Sequence, residues 1–197
     1  MIRVKSLRQL KGKSKSKLTR KTYNELYYEK AGEAKCATTV YGADKNPKMV
    51  HIRLAGTISN VPALKNQKIQ GTNILRPNAK VVLDLMTRAF EKSVNFNIPR
   101  YDEDVFVLIE CAYRRNSFDE DNVLTTVRDW MEPQHIRGKD RGWGVGIVPN
   151  DRLVSGFAVK KAKTDKDADI TEVYIRPLET IQHKYYAYID YLKRPPE

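Results

Sequence analysis

The spacing of apolar residues predicts a series of strands from residue 49 onward. Across Met49–Ala55 apolar and polar residues alternate, which is typical of a half-buried strand. Residues 104–113 are apolar on both alternating faces apart from Glu110, which predicts a strand buried on both sides in the middle of a sheet. Other strands are predicted at 73–76, 144–149, 153–162 and 170–176.

Helices are predicted where apolar residues recur at spacings of three and four. Pro77 opens one such segment, which continues to Phe90, and a second covers residues 122–131. Pro177 opens a last, tyrosine-rich helix, and residues 23–34 are compatible with a short one. Strands mixed with helices predict an α+β fold in which helices pack on a β-sheet.

The N-terminal part of the chain differs in composition from the rest. Residues 3–21 contain nine Lys or Arg and no acidic residue, so this segment repels itself and cannot build a core. We therefore expect residues 1–48 to form a basic, partly flexible extension and residues 49–197 to form the folded domain. The basic arm is interpreted as a clamp on nucleic acid, with a solubilising tail as the alternative.

The overall charge favours a polyanionic partner such as nucleic acid. The net charge is +12 and the pI is near 9.6. No segment reaches the ~18 consecutive apolar residues of a membrane span, and no signal peptide is evident, so a cytoplasmic protein is expected. Cys36 and Cys111 are too few for a disulfide framework or a cysteine-based zinc site, so any bound metal is expected to have oxygen ligands.

Acidic residues cluster between the predicted buried strand and the helix that follows it. Asp119 and Asp121 can point to the same side of an extended turn, and carboxylates are ligands that Mg²⁺ prefers. Asp151 supplies a third carboxylate if the strand that ends there lies beside the buried strand. In the alternative interpretation, Asp121 is only a helix cap.

The order of these motifs resembles that of the RusA family of Holliday junction resolvases. The resemblance rests on the apolar strand with its basic turn, on Asp119-Glu-Asp-Asn122, on Asp129 in the helix, and on Asn150-Asp151 before the next strand. Val61-Pro-Ala-Leu-Lys-Asn66 also resembles a Pro-rich loop of that family. The resemblance implies a RusA-like mixed sheet with catalytic and metal-binding roles for Asp119, Asp121 and Asp151, holding Mg²⁺ or, as a substitute, Mn²⁺.

The activity implied is Mg²⁺-dependent hydrolysis of phosphodiester bonds in Holliday junctions or related branched DNA. Cutting two symmetric strands implies a homodimer. No nucleotide cofactor is expected, because the chain lacks a phosphate-binding Gly-x-x-x-x-Gly-Lys loop. A phage, prophage or bacterial host is expected. Asp129 lies ~12 Å along the helix from Asp121 and is therefore assigned a supporting role.

The family resolvase has a catalytic lysine where this chain has Thr125, which cannot supply a positive charge. Lys139 or a basic neighbour, Arg137 or Arg141, in the longer segment between Asp129 and Asp151 is the candidate replacement, with Arg128 as a further candidate. Further phosphate contacts are predicted for Lys65, Lys68, Arg114, Arg115, Arg128, Arg137 and Arg141.

Two rival functions follow from the same residues. In one, a catalytically weak or inactive protein binds structured DNA and uses its aspartates as caps and structural ligands. In the other, a nuclease prefers flaps or forks to four-way junctions.

Overall fold

The computed structural model describes residues 34–56, 77–113, 119–136, 138–164, 169–178 and 195. In this part of the chain the main element is a five-stranded mixed sheet. Its strands, in the order in which they lie side by side, are β1 (Ala34–Tyr41), β2 (Met49–Gly56), β7 (Asp169–Pro177), β3 (Val105–Tyr113) and β6 (Val154–Lys163). The sheet confirms the α+β class, with β7 rather than β3 at its centre.

Two helices among the described residues, α1 (Pro77–Ser93) and α2 (Glu120–Met131), pack through the apolar positions that predicted them. Leu83, Met86 and Phe90 of α1 are buried in the core. In α2, Val127 and Trp130 are buried in the same core, and the Trp130 ring meets the Phe90 ring edge-on at 5.7 Å. None of the described helices is long and apolar enough to cross a membrane.

The sheet begins earlier in the chain than the boundary predicted at residue 49. Strand β1 pairs antiparallel with all of β2, from Ala34 opposite Gly56 to Tyr41 opposite Met49. The positions of β1 that pack on the core include Ala34, Cys36 and Val40, with Thr38 between them. Small and polar residues at these positions give little hydrophobic alternation, which is why the sequence pattern did not reveal the strand.

The strand predicted at 144–149 as part of the sheet lies elsewhere. Strands β4 (Pro133–Ile136) and β5 (Lys139–Val145) form a separate antiparallel hairpin, and β5 ends before residue 146. Gly144 has a φ of +119°, and a Cβ there would lie 2.5 Å from the carbonyl oxygen of Glu132. Only glycine permits this close approach, which folds the hairpin back onto the end of α2.

The predicted strands at 153–162 and 170–176 are confirmed as β6 and β7. The predictions for 3–21, 23–34, 73–76 and the helix after Pro177 concern residues outside the described ranges, apart from Ala34 and Leu178. Both cysteines are free thiols, and burial raises the pKa of Cys111 to about 11, so this thiol stays protonated at neutral pH.

Candidate functional site

The carboxyl ends of β2 and β3 lie at the same end of the sheet. Both strands are antiparallel to β7, so they run in the same direction, and Gly56 and Ala112 lie opposite the neighbouring residues Asp169 and Ile170 of β7. Helix α2 begins after β3 and connects it to β6, which is parallel to β3. The helix therefore starts near the carboxyl end of β3 and ends near the opposite end of the sheet, where β6 starts.

Asp119 is the N-cap residue of α2, but its side chain makes no capping hydrogen bond. Its Oδ2 instead accepts a hydrogen bond of 3.4 Å from Nδ2 of Asn122, a residue that is 7% exposed. The carboxylates of Asp119 and Asp121 both lie on the exposed start of the helix. Asp121 is in the first turn rather than at the cap position, so the interpretation of Asp121 as the N-cap is wrong.

Thr125 uses its hydroxyl inside the helix. Its Oγ1 donates to the main-chain oxygen of Asp121 at 2.8 Å. Such a bond is common for threonine in a helix and adds no positive charge to the site.

Asp151 lies at the other end of α2. Its main-chain oxygen and its Oδ2 accept hydrogen bonds from Nη2 of Arg128 at 2.9 and 3.2 Å. Arg128 is seven residues beyond Asp121, or ~10 Å along the helix axis. The structure therefore does not bring Asp151 to Asp119 and Asp121 within one chain.

No group of three or more Asp, Glu, His or Cys side chains among the described residues is arranged to hold a metal ion. The predicted set of three ligands is thus not assembled in a single copy. Asp119 and Asp121 remain neighbours and supply two carboxylates, a number that suffices for Mg²⁺ when waters and a substrate phosphate complete the coordination.

A network of charged groups occupies the end of α2 near Asp151. Glu132 accepts a hydrogen bond from the main-chain nitrogen of Asp151 at 3.0 Å and another from Nη1 of Arg141 at 3.2 Å. Arg141 also donates to the carbonyl oxygens of Asp129 and Pro133 and stacks 4.0 Å above the Trp143 ring. Arg141 therefore satisfies carbonyls at the end of the helix, and its contact with DNA stays a prediction.

The remaining basic residues predicted to contact DNA fall outside what the structure describes. These are Lys65, Lys68, Arg114, Arg115 and Arg137. Lys139 is the first residue of β5, and its side chain is likewise outside the described part. In the chain, Lys65 and Lys68 follow β2, and Arg114 and Arg115 follow β3.

A row of charged side chains crosses the face of the sheet that is turned away from the main core. Arg53, Glu172, Glu110 and Lys160 lie opposite one another on four adjacent strands and line a pocket of about 260 Å³. Nε of Arg53 lies 3.5 Å from Oε1 of Glu172, and Nζ of Lys160 lies 3.6 Å from Oε1 of Glu110. The sequence signalled this row only through the isolated Glu110 and the polar alternate positions of β2.

His51 and Tyr174 extend this polar face. Their rings stack at 4.3 Å, and the Tyr174 hydroxyl donates to Oε2 of Glu172 at 2.7 Å. Burial lowers the pKa of His51, and this effect outweighs the opposing attraction of Glu172.

Comparison with models of known protein families and with curated proteins found no match to this chain.

Proposed function

We propose that this protein is a Mg²⁺-dependent endodeoxyribonuclease that resolves Holliday junctions or related branched DNA. The observation that carries the proposal is the pair Asp119 and Asp121 at the exposed start of α2, with the Asp119 side chain not used as a helix cap. Asn122 donates to Asp119 and so orients one carboxylate of the pair. Metal binding accounts for this arrangement of Asp119, Asp121 and Asn122, which helix capping does not explain.

The order of the elements around this pair agrees with the RusA-like pattern. Strand β3 comes first, then Asp119-Glu-Asp-Asn122 at the start of α2, then the β4–β5 hairpin, then Asp151 three residues before the start of β6. Strand β6 lies beside β3 and parallel to it. The order of strand, carboxylate motif, helix and strand supports the proposal, and the hairpin lies in the segment between Asp129 and Asp151 that is longer than in compact family members.

Asp119 and Asp121 are the residues that would hold the ion. When bound, Mg²⁺ would polarise a phosphate oxygen and lower the pKa of a coordinated water. The first turn of α2 presents main-chain N–H groups at the positive end of the helix dipole, which favours a phosphate close to the two carboxylates. Asp151 does not fit as a third ligand within one chain, because Arg128 and Glu132 hold it at the far end of the helix.

The charge supplied by the family lysine must come from a different position in this protein. Thr125 is committed to a hydrogen bond with its own helix. Arg114 and Arg115 directly follow β3 in the chain and precede Asp119 by five and four residues, whereas Lys139 belongs to the hairpin against the other end of α2. We therefore assign the positive charge to Arg114 or Arg115, because they are closer in the chain to the carboxylate pair.

Cleavage of a synthetic four-way junction tests this function. Asp121→Asn should lower the Mg²⁺-dependent rate by about 100-fold or more, because the substitution removes a metal ligand and little volume. Glu120→Gln is the matched control, since Glu120 is an exposed acid in the same turn and should retain activity within about twofold. Equal rates for both variants would exclude the proposed site.

The substrate is examined with the same preparation. Four-way junction, fork, flap and linear duplex are compared at one salt concentration, because salt alone changes DNA affinity. Faster cleavage of forks or flaps than of junctions would identify the protein as a nuclease that prefers those branches to four-way junctions.

A junction-binding protein without nuclease activity is the second candidate. It is favoured by the ion pair between Arg128 and Asp151, which occupies the expected third ligand, and by Thr125 at the lysine position. Tight binding to junctions with no cleavage in either Mg²⁺ or Mn²⁺ would support this candidate over the first.

A further inference from the structure

Strand β6 forms one edge of the five-stranded sheet. It pairs with β3 on one side, and on its other side no strand from the described residues is hydrogen bonded to it. With ten residues it is longer than the other strands described. Such an edge presents main-chain N–H and C=O groups that can pair with another strand.

The two halves of β6 differ in chemistry. The run Ser155-Gly-Phe-Ala-Val159 has no charged residue, whereas the second half carries Lys160, Lys161 and Lys163. Lysines on an edge strand oppose pairing with another edge, so pairing is confined to the first half. The ion pair of Lys160 with Glu110 further commits the second half to its own sheet.

Phe157 makes this half of the edge apolar. Its side chain is 53% exposed, and only Phe96 is a more exposed large apolar residue in the described part of the chain. The opposite edge strand, β1, has Lys35, Ala37 and Thr39 at its exposed positions, and its aromatic residue, Tyr41, is less exposed than Phe157. The edge of β6 is thus the one suited to an apolar partner strand.

We propose that β6 pairs with β6 of a second copy of this chain, antiparallel and centred on Phe157. In this register Ser155 lies opposite Val159, Gly156 opposite Ala158, and Phe157 opposite itself, so the uncharged run pairs with its own copy. A parallel arrangement would place the lysines of the two copies side by side, and repulsion disfavours it. The antiparallel interface is isologous and closed, and it produces a dimer.

The dimer joins two sheets into one continuous sheet with a twofold axis perpendicular to it. The α2 helices of both copies then lie on the same face, so two symmetric sites face one DNA substrate. The pairing itself stands on the edge of β6 and does not require nuclease activity.

Sedimentation velocity of the full chain over a range of protein concentrations tests the interface. An edge contact of this length buries less area than a standard protein interface, so we expect a concentration-dependent equilibrium between monomer and dimer. Phe157→Glu should raise the dissociation constant about tenfold or more, because it places two carboxylates at the centre of the contact. Phe96→Glu introduces the same charge at another exposed phenylalanine and should leave the equilibrium unchanged.

A wild-type protein that stays monomeric at all concentrations would overturn the proposal, as would a dimer unaffected by Phe157→Glu. Circular dichroism melts establish that each variant is folded. If Phe157→Glu does not fold, Ser155→Lys places a charge at an exposed position of the uncharged run and is expected to weaken the dimer in the same direction.

Disulfide trapping tests the register. A Phe157→Cys variant should form crosslinked dimers on mild oxidation, because residues directly opposite one another have Cβ atoms about 4.5–5.5 Å apart. Ser155→Cys and Val159→Cys should crosslink efficiently only when mixed. The parent chain with Cys36 and Cys111 gives the background, and equal crosslinking of either variant alone would contradict the register.

Discussion

Asp151 shows how the surroundings of one residue decide its role. Its position before β6 led to its prediction as a metal ligand, yet its main-chain nitrogen, main-chain oxygen and carboxylate all have partners among Glu132 and Arg128. Hydrogen bonds to main-chain atoms hold the turn that leads into β6 regardless of which side chain is present. The described contacts therefore favour a positioning role for this residue.

Substitutions of Asp151 and Glu132 should lower the free energy of unfolding by different amounts. The side chains of Arg128 and Asp151 are 30% and 42% exposed, so Asp151→Ala should lower the free energy of unfolding by no more than about 1 kcal/mol. Glu132 is 15% exposed and serves two donors, so Glu132→Ala should cost roughly 1–3 kcal/mol. Urea unfolding measures both, and a larger cost for Asp151→Ala would contradict the assigned order.

His51 should make stability depend on pH. Since burial lowers the pKa of His51 in the folded protein, the unfolded chain binds a proton at higher pH than the folded chain does. His51 therefore lowers the free energy of unfolding as the pH falls below its ordinary pKa of ~6.5, with no further loss below the folded pKa.

His51→Phe keeps an aromatic ring against Tyr174 and removes the titrating group. Denaturant unfolding of both proteins between about pH 5 and pH 7 should show a smaller decrease for the variant. If the free energy of unfolding of the two proteins changes with pH in parallel, groups other than His51 cause the loss of stability in acid.

At the scale of the elements, Thr87 joins α1, α2 and the hairpin. Its buried hydroxyl donates to the carbonyl oxygen of Leu83 at 2.9 Å. The same oxygen accepts hydrogen bonds from Nε1 of Trp130 at 3.2 Å and from the main-chain nitrogen of Gly144 at 3.1 Å. One hydroxyl thus satisfies two buried donors from separate elements.

Thr87→Val should be strongly destabilising although it preserves the shape of the side chain. Both donors lose their acceptor, and each buried group left unpaired costs roughly 1–3 kcal/mol. Thr87→Ser keeps the oxygen and should recover most of this loss. Thermal and urea unfolding of the two variants measure the difference, and equal stabilities would show that water replaces the hydroxyl.

At the scale of the whole molecule, charge and topology act together. Nine basic residues within 3–21 precede a domain that carries Asp119 and Asp121 at the start of α2. If the arm clamps DNA, each phosphate contact that it makes contributes about 0.9 to the slope of log affinity against log salt concentration.

Deleting residues 1–21 should therefore weaken junction binding and reduce this salt slope. Fluorescence anisotropy at several salt concentrations gives both quantities. An unchanged slope would identify the arm as a solubilising tail, and the circular dichroism melt of the shortened chain reports whether the domain is intact.

The apolar spacing of the sequence determined most of the elements, because residues such as Leu83 and Phe90 in α1 must face a core whatever surrounds them. It also determined that Asp119 and Asp121 are neighbours, since they are two residues apart at the start of a helix. Strand β1 and the separate hairpin were not predicted, because their formation depends on pairing with distant segments and on glycines that fit against α2.

Only the tertiary structure decided which distant residues meet. A parallel connection through α2 necessarily puts the start of β6, and with it Asp151, at the opposite end of the helix from Asp119. The same topology brings Arg128 to Asp151 and leaves the uncharged half of β6 at an edge. Local spacing cannot encode these contacts, because they depend on how whole strands and helices are ordered in space.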